Sequence, residues 1–480
     1  MEAVGAQRRR RRGARGPPRP DARNRRFPGS SADPTCEDDV VRKPAPLAQA
    51  LAKSPAPAAA KDAIQDVNDL TRRELNHAAA DNSLWVDYCG DLFFVDAAHP
   101  HADDAAGADT HDTAQAAPRV DAASVPANVL DLSSRPDSDH TIYLDFTGGT
   151  VSGTAWNTPQ WTGAYGTPID VTPYSITAPA DLNFTAAERA EIYTAWATVS
   201  EDYAPFDVNV TTLPPSTDAL TRYSLDDSTY GVTVKVTNSG PIYASCGCGG
   251  IAYLDIFSEV GAQSYNPAWV FTAGTTTSGY ELAQAATHEA GHTFGLSHDG
   301  TDRNDYYSGS GAYAPIMGAS YSRRVSHWSN GEYPGADNYE DDVAIIASQA
   351  PKLFDDHGDN AQNATPVAAG ETIDGLIGDR TDIDAFSFTG EGESPSPPPD
   401  RPACPTPTCR SAFSTPPAPR SLSSTRSASP ARSTRPGRRT CRATPGATPP
   451  SWTASATATP PSPVSTATTA RWVATPSTST

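Results

Sequence analysis

Long apolar runs are missing. No stretch of 18 consecutive apolar residues occurs in the 480 residues, so no segment reads as a membrane-spanning helix. Cysteine is sparse, with Cys36, Cys89, Cys246, Cys248, Cys404, Cys409 and Cys441 and no CxxC pair, which argues against a cysteine zinc site. Methionine is rarer still: only Met1 and Met317. Acidic residues stop at Asp400. The ten Arg beyond it, set against a formal net charge of -20, leave about -30 on residues 1–400. A body that acidic repels nucleic acid and anionic membrane. No apolar h-region follows the arginine run QRRRRRGAR, so no secretory signal is recognisable.

What is present divides the chain. Residues 1–60 are Arg-, Pro- and Ala-rich without periodicity and read as disordered. In 61–125, DAIQDVNDLTRREL has a helical pattern, SLWVDYCGDLFFVD alternates like a hairpin around Cys-Gly, and a small-residue polar linker follows. Residues 126–352 have an ordinary α/β texture. HTIYLDF, FDVNVTT, GVTVKVT, IAYLDIF and WVFT read as five strands; FTAAERAEIYTAWATVSEDY, opened by a Thr185/Glu188 capping box, ELAQAATHEAGHTF and EDDVAIIASQA read as helices. The expected fold is therefore a mixed, twisted five-stranded sheet with helices packed on it. Residues 353–393 form a weaker β-like segment. From 394 to 480 the composition collapses to Ser, Thr, Pro, Ala and Arg, which reads as GC-rich coding sequence after a frameshift near 393.

Chemistry concentrates in HEAGHTFGLSHD, residues 288–299. On a helix, positions i and i+4 lie on one face, so His288 and His292 present two imidazoles one turn apart. Gly295 can take φ > 0 and turn the chain, bringing His298 in as a third ligand. Three histidines leave one tetrahedral position open, the arrangement of a catalytic rather than a structural zinc. Glu289, beside His288, is placed to take a proton from water there.

HEAGHTFGLSH resembles the extended motif of the metzincin metalloproteases. That family carries a methionine in a tight turn below the zinc, and Met317 in APIMGASY falls where the resemblance needs it. Asp299, directly after the third histidine, is similar to the adamalysin (reprolysin-like) pattern, in which the aspartate supports the methionine turn. The tyrosine ligand of the serralysin and astacin groups has no counterpart, since that position is Ala319 and the nearest tyrosine is Tyr321. YLDFTGGTVSGTAWN, WATVSEDYAPFDVNVTT, CGCGGIAYLDIF and SHWSNGEYPGADNYEDDVAII extend the resemblance, over about 138–350, to secreted bacterial reprolysin-like proteases. Residues 355–393 look like the start of a bacterial pre-peptidase C-terminal domain.

The resemblance implies a secreted, monomeric zinc endopeptidase acting on peptides and proteins, with Glu289 as general base, IAYLDIF as the strand that aligns substrate, and 61–125 as a propeptide-like segment. A non-catalytic zinc-stabilised extracellular binding module, or an inactive truncated protease, is the alternative. Cys246 and Cys248 are expected in disulfides, with each other or with Cys89. For Cys89 two roles stay open: a disulfide or buried thiol, or a thiolate that blocks the zinc in a latent zymogen. Calcium is a second candidate ion, at Asp299, Asp302 and Asp305 or at Glu340, Asp341 and Asp342, against plain polar-loop and helix-start readings.

Overall fold

The run Tyr230–Thr237, buried at every position but Thr233, is the pattern of a strand inside a sheet rather than on its surface. The computed structural model describes residues 40–41, 43–98, 125–177, 180–238, 240–368, 371–387 and 469–473. An N-terminal part comprises β1 (Ala45–Pro46), α1 (Leu47–Lys53), α2 (Pro57–Asn68), α3 (Arg72–Ala78) and the hairpin β2 (Leu84–Val86) and β3 (Leu92–Ala97). There follow β4 (His140–Asp145), β5 (Gly149–Val151), α4 (Pro159–Thr162), β6 (Ile169–Val171), α5 (Ala186–Asp202), β7 (Asn209–Thr211) and α6 (Thr217–Leu220). Next come β8 (Tyr230–Thr237), α7 (Pro241–Cys246), β9 (Cys248–Tyr253), β10 (Ala268–Phe271), α8 (Gly279–Thr293), β11 (Tyr313–Pro315), β12 (Val325–His327) and α9 (Asp342–Ala347).

The main sheet has the order β1-β2-β3-β9-β10-β8-β4-β7. β10, β8, β4 and β7 run parallel to one another; β9 runs antiparallel to β10, and β3 antiparallel to β9. The five strands expected are all here, and β1–β3 extend them to eight. On one face α5 and α8 bury Ile192, Val199, Leu282 and Ala286 against Val232 and Val236. On the other, Trp156, Trp161, Tyr253, Trp269 and Phe271 pack with Ile169, Val171 and Ile242. The two helices cross closely because α8 starts with Gly279, where a Cβ would overlap the Glu191 carbonyl of α5. The capping box is formed: Thr185 Oγ1 accepts from Glu188 N, and the Glu188 carboxylate accepts from Thr185 N, a cap worth about 1 kcal/mol. This is a mixed α/β architecture that fits a metzincin catalytic domain.

Two readings are corrected. α1 and the start of α2 lie inside the span read as disordered, 1–60. Leu47, Ala50, Leu51 and Ala60 bury themselves against Ile64, Leu84, Val86 and Phe94, partners in later segments. The strand read at 251–257 starts earlier and stops at Tyr253. Asp255 takes a left-handed φ of 57°, and the chain then donates from Asp255 N and Phe257 N to the His292 and Thr293 carbonyls at the end of α8. A separate unit begins at Asp355, with β13 (Thr365–Pro366) parallel to β15 (Phe386–Ser387), and β14 (Thr372–Leu376) beside β16 (Thr469–Val473). The rest of the tail, residues 388–468 and 474–480, lies outside the described residues. Among those described, no helix is long and apolar enough to cross a membrane.

Candidate metal centre

α8 carries His288, Glu289 and His292 in its last turns, and all three are buried. Gly295 ends the helix at a φ of 93°, and the chain turns back so that His298 meets the first two imidazoles. Ring centroids of His288, His292 and His298 lie 4.7, 4.9 and 5.1 Å apart. Each Nδ1 is engaged on its outer side: that of His288 by the Ile316 carbonyl at 2.9 Å, that of His292 by the Leu296 carbonyl at 2.8 Å, and that of His298 by Asp81 Oδ2 at 2.8 Å. These bonds fix the tautomer that leaves Nε2 of each ring free to ligate.

A fourth group shares the centre. Asp96 Oδ2 lies 3.3 Å from Nε2 of both His288 and His292, and Oδ1 lies 3.1 Å from Nε2 of His298. Of the three rings, only His292 shares a hydrogen bond with it through Nε2, while Nε2 of His288 and Nε2 of His298 are buried and have no hydrogen-bond partner. Ligand atoms tetrahedrally arranged at bonds of ~2.0–2.1 Å stand about 3.3 Å from one another, which matches these separations. Three imidazoles and a carboxylate, all buried, are a donor set that suits zinc.

Proton energetics divide the rings. Burial holds His292 down, to about 4. Burial also opposes charge on His298, but the Asp96 and Asp81 carboxylates outweigh it and raise that ring to about 10. For Asp96, burial pushes upward and is overcome by the charge of His298 and His292, which holds the carboxyl well below its ordinary range. Burial, then the Asp96 charge, raises Glu289 well above the usual carboxylate range.

Below the rings, Met317 is fully buried, and a Cβ on Gly291 of α8 would come within 2.6 Å of its sulfur. Ile316 holds His288, and Met317 O accepts from Asp299 N at 2.8 Å, so one turn braces both ends of the motif. Asp299 is buried, and burial followed by the Glu340 charge raises it to about 7. It is not grouped with Asp302 and Asp305: none of the metal-suited clusters among the described residues combines these acids, or Glu340, Asp341 and Asp342. Asp341 caps α9 through Ala344 N instead, Asp342 accepts from Ser329 N, and Glu340 from Ser297 N.

Cys246 and Cys248 are joined in a disulfide. Cys89 is also disulfide-bonded and sits at the hairpin turn beside Asp87 and Asp91, away from the imidazoles, so a Cys89 thiolate blocking the centre is not what this structure holds. Asp96 stands there instead. Sequence reading also missed Tyr306, whose hydroxyl donates to Asp96 Oδ1 at 3.0 Å and whose ring lies 4.4 Å from that of His298. Neither has a motif: Asp96 precedes a linker full of other acids, and Tyr306 lies in an irregular loop.

No curated protein and no solved structure matches the chain. Residues 181–299, about a quarter of its length, match the model of the Reprolysin-like metallo-peptidases of family M12B. That span runs from the loop before α5 through α8 to Asp299, so the part of the chain that brings the three imidazoles and Glu289 together is similar to a metzincin-like zinc metalloprotease.

Proposed function

We propose that the chain is a secreted zinc-dependent endopeptidase that hydrolyses peptide bonds, with Glu289 as general base and His288, His292 and His298 as the metal ligands. One observation carries the reading: three buried imidazoles, each tied down at Nδ1, turn Nε2 to one centre beside a buried glutamate. Zinc, when bound, supplies Lewis-acid chemistry, lowering the pKa of a coordinated water and polarising the scissile carbonyl. Glu289 takes the proton from the water and returns it to the leaving amine. Burial favours this, because a carboxylate held above its usual range is the stronger base near neutral pH. Met317 and Asp299 brace the ligand loop, and β9 aligns the peptide by strand pairing. The disulfide between Cys246 and Cys248 suits an oxidising compartment, which supports secretion.

The test compares the chain with Glu289→Ala for zinc content and for cleavage of casein-derived peptides, before and after limited proteolysis. Zinc stays at one per chain, chelator-sensitive cleavage is seen in the parent, and the variant loses at least about a hundredfold in rate. Turnover by Glu289→Ala comparable to the parent would remove Glu289 from the role of base, and absence of zinc would end the reading.

A further inference from the structure

We infer that residues 40–98 are a built-in inhibitor: β3 lies along β9 where a peptide substrate would pair, and Asp96 closes the coordination position that water must occupy. The inference rests on the zinc endopeptidase reading and adds its regulation.

Take β1–β3 away and β9 becomes the edge of the sheet, with a row of backbone N–H and C=O groups that an extended peptide could join. In the intact chain β3 fills that place antiparallel, with Phe94 opposite Ala252, Val95 opposite Ile251 and Asp96 opposite Gly250. This register sets Asp96 against Glu289, because Gly250 has no Cβ and the Glu289 side chain occupies the space a Cβ would take. The Asp96 carboxylate therefore stands beside the base as well as among the imidazoles.

Other side chains of the segment seal the centre. Phe94 stacks on His292 with centroids 4.1 Å apart. Asp81 and Ser83 both reach His298 Nδ1. An ionised carboxylate only 3% exposed is expensive to bury unless a cation answers it. The hairpin does not depend on Asp96 for its packing, since Phe93 inserts among Trp156, Trp161 and Tyr253 and Phe94 joins the N-terminal core. The place of the carboxylate is thus set by what it faces, the three Nε2 atoms at 3.1–3.3 Å that would hold the ion. Cys89 cannot take this part: it lies seven positions before Asp96, with Leu92 to Val95 of β3 between them, roughly 20 Å along the chain.

The test uses the full chain loaded with Co²⁺ in place of zinc, in a Glu289→Ala background that prevents self-cleavage. Acetohydroxamate, a small chelating ligand, is titrated and the visible absorption of the cobalt is followed. A closed latch raises the apparent dissociation constant by the inverse of the fraction of time it is open, so Asp96→Asn binds hydroxamate at least about tenfold more tightly than the unsubstituted chain. The unsubstituted chain gains the same affinity after limited proteolysis removes its N-terminal segment, a comparison that needs no Asp96 variant. Equal affinity in cobalt-loaded parent, Asp96→Asn and cleaved chain overturns the latch and leaves the metal reading intact. Failure of every form to bind cobalt ends both.

Discussion

Gly250 shows how a position without chemistry of its own governs the centre. A methyl group there would overlap the Glu289 carboxylate and press on its Cγ at 2.8 Å, and the residue is buried in β9, so the glutamate must be the group that moves. Displacing a general base by about 1 Å can lower turnover a hundredfold. We expect Gly250→Ala to keep its zinc and its melting temperature within a few degrees while losing about a hundredfold in peptide hydrolysis against the parent, both assayed after limited proteolysis has removed the N-terminal segment. Zinc analysis beside the rate measurement checks this, and an unimpaired rate would show that Glu289 has room elsewhere. His288, Glu289, His292 and Gly295 were readable because their geometry is set within one helix and its terminal turn. Gly250, Asp96 and Tyr306 were not, since each matters through a neighbour far away in the chain, and nothing local distinguishes Asp96 from the acids that follow it.

At the level of elements, α5 and α8 are joined by a buried polar link as well as by apolar packing. Asp202, the last residue of α5, accepts from Thr287 Oγ1 of α8 at 2.8 Å and from Ser326 Oγ of β12 at 3.2 Å. Burial raises its pKa from 3.8 to about 7, and the two hydroxyl donors only partly offset that. The folded chain therefore binds this proton more tightly than the unfolded one. Its contribution is fully present below about pH 4 and is lost as pH rises towards 7. Asp202→Asn abolishes the titration. Urea unfolding of the metal-free chain at pH 5.5 and pH 8 should find the parent losing about 2 kcal/mol relative to Asp202→Asn over that interval. A difference that does not change with pH would show that Asp202 is solvated in the fold. The capping box of α5 was legible because all its partners lie within four residues. The true extent of β9 was not: I-A-Y-L-D-I-F is apolar to its end but for Asp255, and only docking on α8 decides that the last residues leave the sheet.

At the scale of the molecule, two cores meet at the metal centre. One draws on residues 41–94, with Leu254 packed against it, and the other lies between the sheet and the α5/α8 pair. Apolar runs and, in FDVNVTT, alternation disclosed five strands of the sheet, but the place of β1–β3 in the same sheet depends on pairing between β3 and β9, far apart in sequence, which no local pattern encodes. That pairing and Phe93 hold the joint, and in the proposed metal-bound state Asp96 and the three histidines add their ligands to one ion. An ion that binds only the assembled state stabilises it by mass action, and chelation withdraws that stabilisation from the elements that supply ligands before it reaches the rest. Hydrogen exchange in the zinc-loaded full chain, repeated after chelation, should therefore accelerate by about tenfold or more in β3 and in the last turn of α8. Amides of β4 and β8, in the middle of the sheet, should hardly change. In Asp96→Asn the zinc dependence of β3 should vanish while that of α8 remains, because the histidines still hold the ion and the hairpin no longer does. Uniform acceleration across the sheet, or an equal response of β3 in both chains, would mean that the hairpin is held by strand pairing and Phe93 alone.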